Sequence, residues 1–304
     1  MQHLCGLLAA LLVAGCTTGG GFETATGCAL ERRGELALSL RHDIPLVQAT
    51  VDGTEVTLIL DTGAERTLLT DAAVARLGLP RDAAHVDRVV GIGPTSEAAE
   101  AEARRFGLGD VSLHDRPIVV GAFALAGSEA DTPDGLLGID LLSHYDIDLD
   151  LPGRRATLYR ARACPAGAPP WPRGASMLVA AHGAHDHLLA PVTLDGQALQ
   201  ASIDSGSETT TVALRALPRL GVSAAALAHD PVLRVQGMSR SVTTVHVHRF
   251  ASLEIGGLAF RQPYIPVSPL PAFLGDALLG ADVLRQHRVW LSWASDRIWI
   301  EAEP

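Results

Sequence analysis

The sequence predicts an all-β fold of two similar lobes facing each other across a cleft, with few and short helices. Three observations predict it. First, Leu58-Ile59-Leu60 runs into Asp61-Thr62-Gly63, and Ala201-Ser202-Ile203 runs into Asp204-Ser205-Gly206, 143 residues later. Second, the surroundings repeat as well. Asp52-Gly53 and Asp195-Gly196 each begin nine residues before the acid, and Arg76-Leu77-Gly78 answers Arg219-Leu220-Gly221. Leu136-Leu137-Gly138-Ile139-Asp140 answers Leu278-Leu279-Gly280-Ala281-Asp282. An offset that stays near 143 over a whole half marks an internal duplication, and two copies are too few for a solenoid. Third, the apolar runs are short, often alternating, and bounded by Gly, Asp and Pro, which reads as strands and turns. A chain of 304 residues with 47% hydrophobic content can build two cores, and aromatics at 4% leave those cores to Leu, Val, Ala and Ile.

In chain order, residues 1–15 read as a signal peptide. Leu7 to Val13 is apolar and too short for a permanent span. Val13-Ala14-Gly15-Cys16 looks like a bacterial lipobox, which makes Cys16 the lipidation site and 16–33 a lipid tether rich in Gly and Thr. The first residues carry no Lys or Arg, and a plain secretory signal is the alternative. The expected location is the bacterial cell envelope, as a periplasm-facing, lipid-anchored protein of the outer membrane. With Cys5 in the leader and Cys16 acylated, Cys28 and Cys164 remain. In an exported chain they are candidates for a disulfide, with two free thiols as the alternative.

The N-terminal lobe is drawn at 34–162. Glu35 to Val51 reads as strands, and Asp71 to Leu77 as a short helix closed by Gly78. Val86 to Gly121 reads as further strands around a glycine-rich turn. Ile139 to His144 reads as a second short helix, and Asp146 to Leu151 as an alternating strand. Residues 163–174, dense in Pro and Gly, form a linker. The C-terminal lobe is drawn at 175–304 and ends in strands at Arg288 to Ser292 and Arg297 to Ile300.

These motifs resemble those of the aspartic proteases, and the retropepsin-like branch most closely. Asp61-Thr62-Gly63-Ala64-Glu65 is similar to the retroviral-type active-site loop, and Val90-Gly91-Ile92-Gly93-Pro94 to that family's glycine-rich flap. The two Leu-Leu-Gly runs match the hydrophobic pair and glycine that pack behind each catalytic loop. Two lobes on one chain is the pepsin-type arrangement. The resemblance implies Asp61 and Asp204 as the catalytic pair, supported by Thr62, Gly63, Ala64, Ser205, Gly206 and Ser207. It implies Val90, Gly91, Ile92 and Gly93, with Gly237 and Met238 in the second lobe, as flap residues that bind substrate. An ordinary hairpin turn is the alternative for either flap, and neither carries the Tyr of pepsin-type flaps. It also implies hydrogen bonds between Thr62 and Ser205 across the lobe junction. Finally, it implies that the Ser207 hydroxyl donates to Asp204, which would steady Asp204 as the charged partner and leave the proton on Asp61.

The chemistry follows from paired acids. Two facing carboxylates cannot both ionise cheaply, so they share one proton, and the pair can activate water while polarising a carbonyl. The expected function is therefore an aspartic endopeptidase, a hydrolase with no metal and no cofactor, acting as a monomer on a peptide or protein substrate. The alternative is a catalytically inactive peptide- or protein-binding lipoprotein on the same fold. A net charge of −10 with no basic run argues against nucleic acid, and leaves membrane contact to the lipid alone. His182, His185 and His187 have some of the spacing of a metal site but no accompanying Cys or acid cluster. His246 and His248 alternate and are expected to face solvent. Asp140 and Asp282 are expected to cap short helices.

Overall fold

The computed structural model describes residues 21–23, 29–89, 96–121, 132–162, 169–171, 174–236 and 242–301. The leader, Cys16, Cys28 and Cys164, the flap residues Val90 to Gly93, and Gly237 and Met238 lie outside the described residues.

Each half builds the same small device from the same residues. The apolar strand Thr54–Leu60 carries Asp61 at its end, and Gly135–Leu137 runs parallel beside it, Leu60 opposite Leu137. Leu68–Thr70 then pairs antiparallel on the other side of Gly135–Leu137. In the second half, Gln197–Ile203 lies parallel to Ala277–Leu279, which is flanked by Thr211–Ala213. The inserted strand is short and wholly buried in both halves, which is why Leu-Leu and Ala-Leu-Leu stand there without alternation. Leu58, Leu60 and Leu137 are fully buried, and truncating any of them to Ala should cost about 2–5 kcal/mol.

Helices are few among the described residues. Asp71–Leu77 forms as expected: Thr70 Oγ1 accepts from Ala73 N at its start, and Gly78 at φ 64° closes it. The short turns Ile139–Leu142 and Ala281–Leu284 follow the two Leu-Leu-Gly runs.

The lobes also share a sheet. Asp146–Asp150 from the first half pairs antiparallel with Arg288–Ser292 from the second. The run continues outward through Arg155–Arg162 and Ala29–Arg41 on one side, and Arg297–Glu301 and Ala175–Val179 on the other. Trp290 is fully buried in this layer, with Tyr159 and Trp171 rings against it at 5.2 and 6.5 Å. Asp146–Asp150 alternates in sequence, yet all five residues are buried. Its acids therefore need partners, and two of them have arginines. Asp148 receives Arg288 Nε at 2.8 Å and Nη2 at 2.5 Å, and Asp150 pairs with Arg155.

The strands Arg81–Val89 and Ser96–Leu108 pair as a hairpin in the first lobe, and Val232–Gln236 and Val242–Arg249 pair in the second. The proposed flap tips fall between these strands. His246 and His248 are half-buried and do not face open solvent as expected. His248 Nδ1 lies 2.6 Å from Asp230 and its ring packs edge-on to Phe250, because the strand carrying it is covered on both sides by neighbours.

Candidate active site

The two Asp-bearing loops meet where the lobes join. Asp61 N donates to Leu137 O and Asp204 N to Leu279 O, each at 3.0 Å, so the inserted strand fixes each loop at its first residue. Close packing continues at Gly138, where a Cβ would lie 2.6 Å from the Arg66 carbonyl carbon. At Gly280 it would lie 2.5 Å from that of Thr209. The backbones of Ile139 and Ala281 then donate to Ala64 O at 2.9 Å and Ser207 O at 2.8 Å.

Thr62 and Ser205 interlock. Thr62 Oγ1 donates to Ile203 O at 2.7 Å and Ser205 Oγ to Leu60 O at 2.6 Å, each reaching into the opposite lobe. Thr62 N donates to Ser205 Oγ and Ser205 N to Thr62 Oγ1, both at 3.1 Å. All four groups are buried and satisfied, so loss of either hydroxyl would strand a buried donor and a buried acceptor at about 1–3 kcal/mol each.

The glycines bring the acids together. A Cβ on Gly63 would lie 2.3 Å from the Asp204 carboxyl carbon, and one on Gly206 would lie 2.3 Å from that of Asp61. Each loop thus rests on the other lobe's acid. Gly63 N donates to Asp61 Oδ1 and Gly206 N to Asp204 Oδ1, both at 3.0 Å, and the two carboxyls are in hydrogen-bond contact with each other.

Burial raises both acids above the ordinary carboxylate range. Asp204 is raised well above it, because the charge on Asp61 adds to its burial. Asp61 is held lower by the N–H groups of Gly63 and Ala64, by its contact with Asp204 and by the nearby His187. The two acids therefore titrate as one pair with a shared proton. The bond expected from the Ser207 hydroxyl to Asp204 does not form. That hydroxyl donates to Thr209 O at 3.0 Å, within its own loop, and so does not serve Asp204. A serine can satisfy itself locally, and the sequence alone does not choose between the two acceptors.

Other expected sites are rearranged. Asp140 and Asp282 do not act as N-caps: Gly138 and Gly280 hold those positions, without side-chain caps. Asp140 Oδ1 accepts from Thr67 N and Oγ1 at 2.8 and 2.7 Å, and Asp282 Oδ1 from Thr210 N and Oγ1, both at 2.8 Å. Thr67 and Thr210 accept in turn from Gly138 N and Gly280 N at 3.1 Å. These buttresses stand six residues after each Asp, a repeated Thr visible in the sequence. The three His of 182–187 do not converge on a metal site. His182 pairs with Asp296, His185 Nδ1 with Glu65 Oε1 at 2.8 Å, and His187 Nε2 lies 3.1 Å from Gly63 O. The Glu65–His185 pair has a twin in Glu208–His42 at 3.4 Å, again one lobe to the other. His42-Asp43 and His185-Asp186 recur 143 residues apart, each with both residues at positive φ, and that repeat is the signal that marks them.

The comparisons with known proteins agree with this architecture. A family model described as Aspartyl protease matches residues 47–141 and again 190–283, together more than half of the sequence. The chain belongs to that aspartyl protease family, as a duplicated, retropepsin-like member. Among solved structures, the aspartic proteinase from Irpex lacteus is similar in fold, with a TM-score of 0.53 at 14% identity, over 89% of this chain and 97% of that one. No curated protein matches.

Proposed function

We propose that the protein is an aspartic endopeptidase in which Asp61 and Asp204 form the catalytic dyad. The observation that supports it is the contact of the two carboxyls at the lobe junction, each seated on the opposite lobe's glycine. In this reading Asp61, ionised, takes a proton from a water that attacks the scissile carbonyl carbon. Asp204 donates its proton to the carbonyl oxygen, and a tetrahedral diol forms. The C–N bond then breaks, the nitrogen takes the proton from Asp61, and a diol hydroxyl returns one to Asp204. The substrate is a peptide or protein. The cell envelope is the proposed setting and Cys16 the proposed lipid site, on the strength of the apolar leader and Val13-Ala14-Gly15-Cys16.

The test is incubation of the purified protein with a peptide library at pH 3–8, read by mass spectrometry, beside Asp61→Asn and Asp204→Asn. Internal cleavage by the wild type should fall by at least about 10³-fold in either variant, because one shared proton needs both partners. No cleavage at any pH, or equal cleavage by the variants, rejects the reading.

A further inference from the structure

We infer that the two lobes read the two sides of the scissile bond differently. Lobe one presents an apolar wall, and lobe two a hydroxyl-bearing wall that selects a polar, uncharged side chain through Ser202 and Thr211. The inference rests on the peptidase reading for the substrate being a peptide, and goes on to name the side chains it takes.

Side chains alternate across a strand, so the residue two before each catalytic Asp shares that acid's face. In lobe one this residue is Ile59, set between Leu58 and Leu60, which belong to the core. Strand pairing carries the face sideways as a row. Leu46 lies opposite Ile59, Ile59 opposite Leu136, Leu136 opposite Leu68, and Leu68 opposite Val119. All five are buried in an apolar cluster of their own, separate from the core, and Ala64 of the first catalytic loop packs on it. The row therefore borders the dyad. Ala98, from the strand Ser96–Leu108, also packs on it and must shift for a substrate side chain to reach the row.

Lobe two builds the same row with different chemistry. Leu189 lies opposite Ser202, Ser202 opposite Leu278, and Leu278 opposite Thr211. Ser202 stands where lobe one has Ile59, and Thr211 where it has Leu68, both at the offset of 143. Their neighbours Ala201, Ile203 and Val212 remain in the core, so the exchange is confined to the face of the dyad. Ile44, which joins the lobe-one cluster beside Ala281 of lobe two, has His187 as its counterpart. One row further from the dyad, Thr70 pairs with Gly121 in lobe one and Ala213 with Ser268 in lobe two. A Cβ on Gly121 would lie 2.6 Å from Leu68 Cδ1. Thr211 has no such atom, and lobe two sets a serine there.

These hydroxyls are poorly served within the chain. Ser202 is 1% exposed and Thr211 4%. Thr211 Oγ1 reaches Thr209 O only at 3.3 Å, and the Ser202 hydroxyl makes no hydrogen bond among the described residues. Ser268 Oγ and Gln200 Oε1, on the same face, are buried without a partner among the described residues. A wall that only had to be filled would keep Ile and Leu, as lobe one does. A substrate hydroxyl or carboxamide satisfies these groups, whereas an apolar side chain leaves them unpaired. A charged side chain would lose its hydration against a row that offers it no counter-charge.

Thr and Val have nearly the same shape, and they make the test. Peptides cleaved by the wild type, or retained by Asp61→Asn in affinity selection, are resynthesised with Thr or Val at each position in turn. At one position the Thr peptide should be cleaved with kcat/KM at least about 10-fold above its Val twin, and across the bond the order should reverse. Ser202→Ala/Thr211→Val should bring the first ratio within about 2-fold and leave the second in place. A purely structural role would lower kcat/KM for all peptides alike and leave both ratios unmoved. Thermal melts establish folding, and Thr211→Val alone, which conserves volume, should cut the first ratio at least about 3-fold. The same peptides are titrated against Asp61→Asn, so the preference is read from binding as well. Binding with the expected preference but no cleavage rejects the peptidase reading alone. Equal handling of Thr and Val at every position, a preference that the double variant keeps, or neither binding nor cleavage overturns the inference.

Discussion

The two Asp loops are the same loop twice, and they differ where it matters. Position for position, Asp61-Thr62-Gly63-Ala64-Glu65 and Asp204-Ser205-Gly206-Ser207-Glu208 share their hydroxyl, glycine and acidic ends. The grip, the Leu carbonyl behind each Asp and the threonine buttresses recur with nearly equal lengths, and the outer Glu–His pairs recur at the same places. Beneath that symmetry, lobe two sends a buried histidine to the first loop where lobe one sends an isoleucine to the second. A dyad needs identical frames to bring two acids together, but unlike surroundings to decide which one is charged. Duplication supplies the frames, and a few substitutions supply the difference.

The largest effect should come from breaking the frame. Gly63→Ala and Gly206→Ala each drive a methyl to 2.3 Å from the opposite carboxyl carbon, closer than packed atoms allow. Each should cost at least about 1–3 kcal/mol in urea unfolding and abolish cleavage. If the frames are equivalent, the two losses should match within about 0.5 kcal/mol. A clear inequality would show that one loop yields.

The shared sheet carries the next asymmetry. The lobe-two counterpart of Asp146, at the local offset of 142, is Arg288, which is committed to Asp148. Asp146 is left buried with Ser292 and the Ala294 N–H for partners, and Oδ2 has none among the described residues. Burial pushes its carboxyl up to about 6. A raised acid binds its proton more tightly folded than unfolded. Its contribution to stability is therefore fully present below the unfolded value, near 4, and is lost as pH rises to about 6. The span corresponds to about 3 kcal/mol. Asp146→Asn should match the wild type at pH 3.5 and exceed it at pH 7.5 by up to that amount, read from denaturation midpoints. Equal stability at both pH values would show that Asp146 finds a partner for its charge.

Much of this was legible in the sequence. The duplication, the Asp-bearing strand ends and the helix at Asp71–Leu77 follow from local pattern and repeat offset, and the cross-lobe bonds of Thr62 and Ser205 from the family resemblance. Three things were not. Ser207 chose an acceptor two residues away instead of the dyad, a choice set by a rotamer. Asp140 and Asp282 read as caps because a helix start and a loop buttress present the same Gly-x-Asp pattern. His187 read as one of three clustered histidines, because nothing in a linear spacing says that neighbours on a turn point to three different partners. The repeated His-Asp at 42 and 185 was readable, and would have placed that turn at the lobe junction.

The outer Glu–His pairs offer a finer comparison. Glu65–His185 is the shorter pair, 2.8 Å against 3.4 Å, and only His185 has an aromatic ring beside it. Both pairs are exposed, so each Glu→Gln change should cost less than about 1 kcal/mol. The Glu65 change should cost more than the Glu208 change when melting temperatures are compared at pH 5. The reverse order would show that the lobes are fastened more firmly on the other side.

The smallest expected effect concerns the one visible difference between the loops, Ala64 against Ser207. A hydroxyl aimed at a carboxylate favours its ionised form and would lower the limbs of the pH–rate profile. The Ser207 hydroxyl is spent on Thr209 O, and what reaches Asp204 from that residue is its backbone N–H, which Ser207→Ala retains. Ser207→Ala should therefore leave both limbs of kcat/KM in place, since it removes a hydroxyl that lies within its own loop. An upward shift of the limbs in Ser207→Ala, measured over the same pH range, would show that the hydroxyl turns to the dyad in the free enzyme, and the difference between the acids would then reside in the loops themselves.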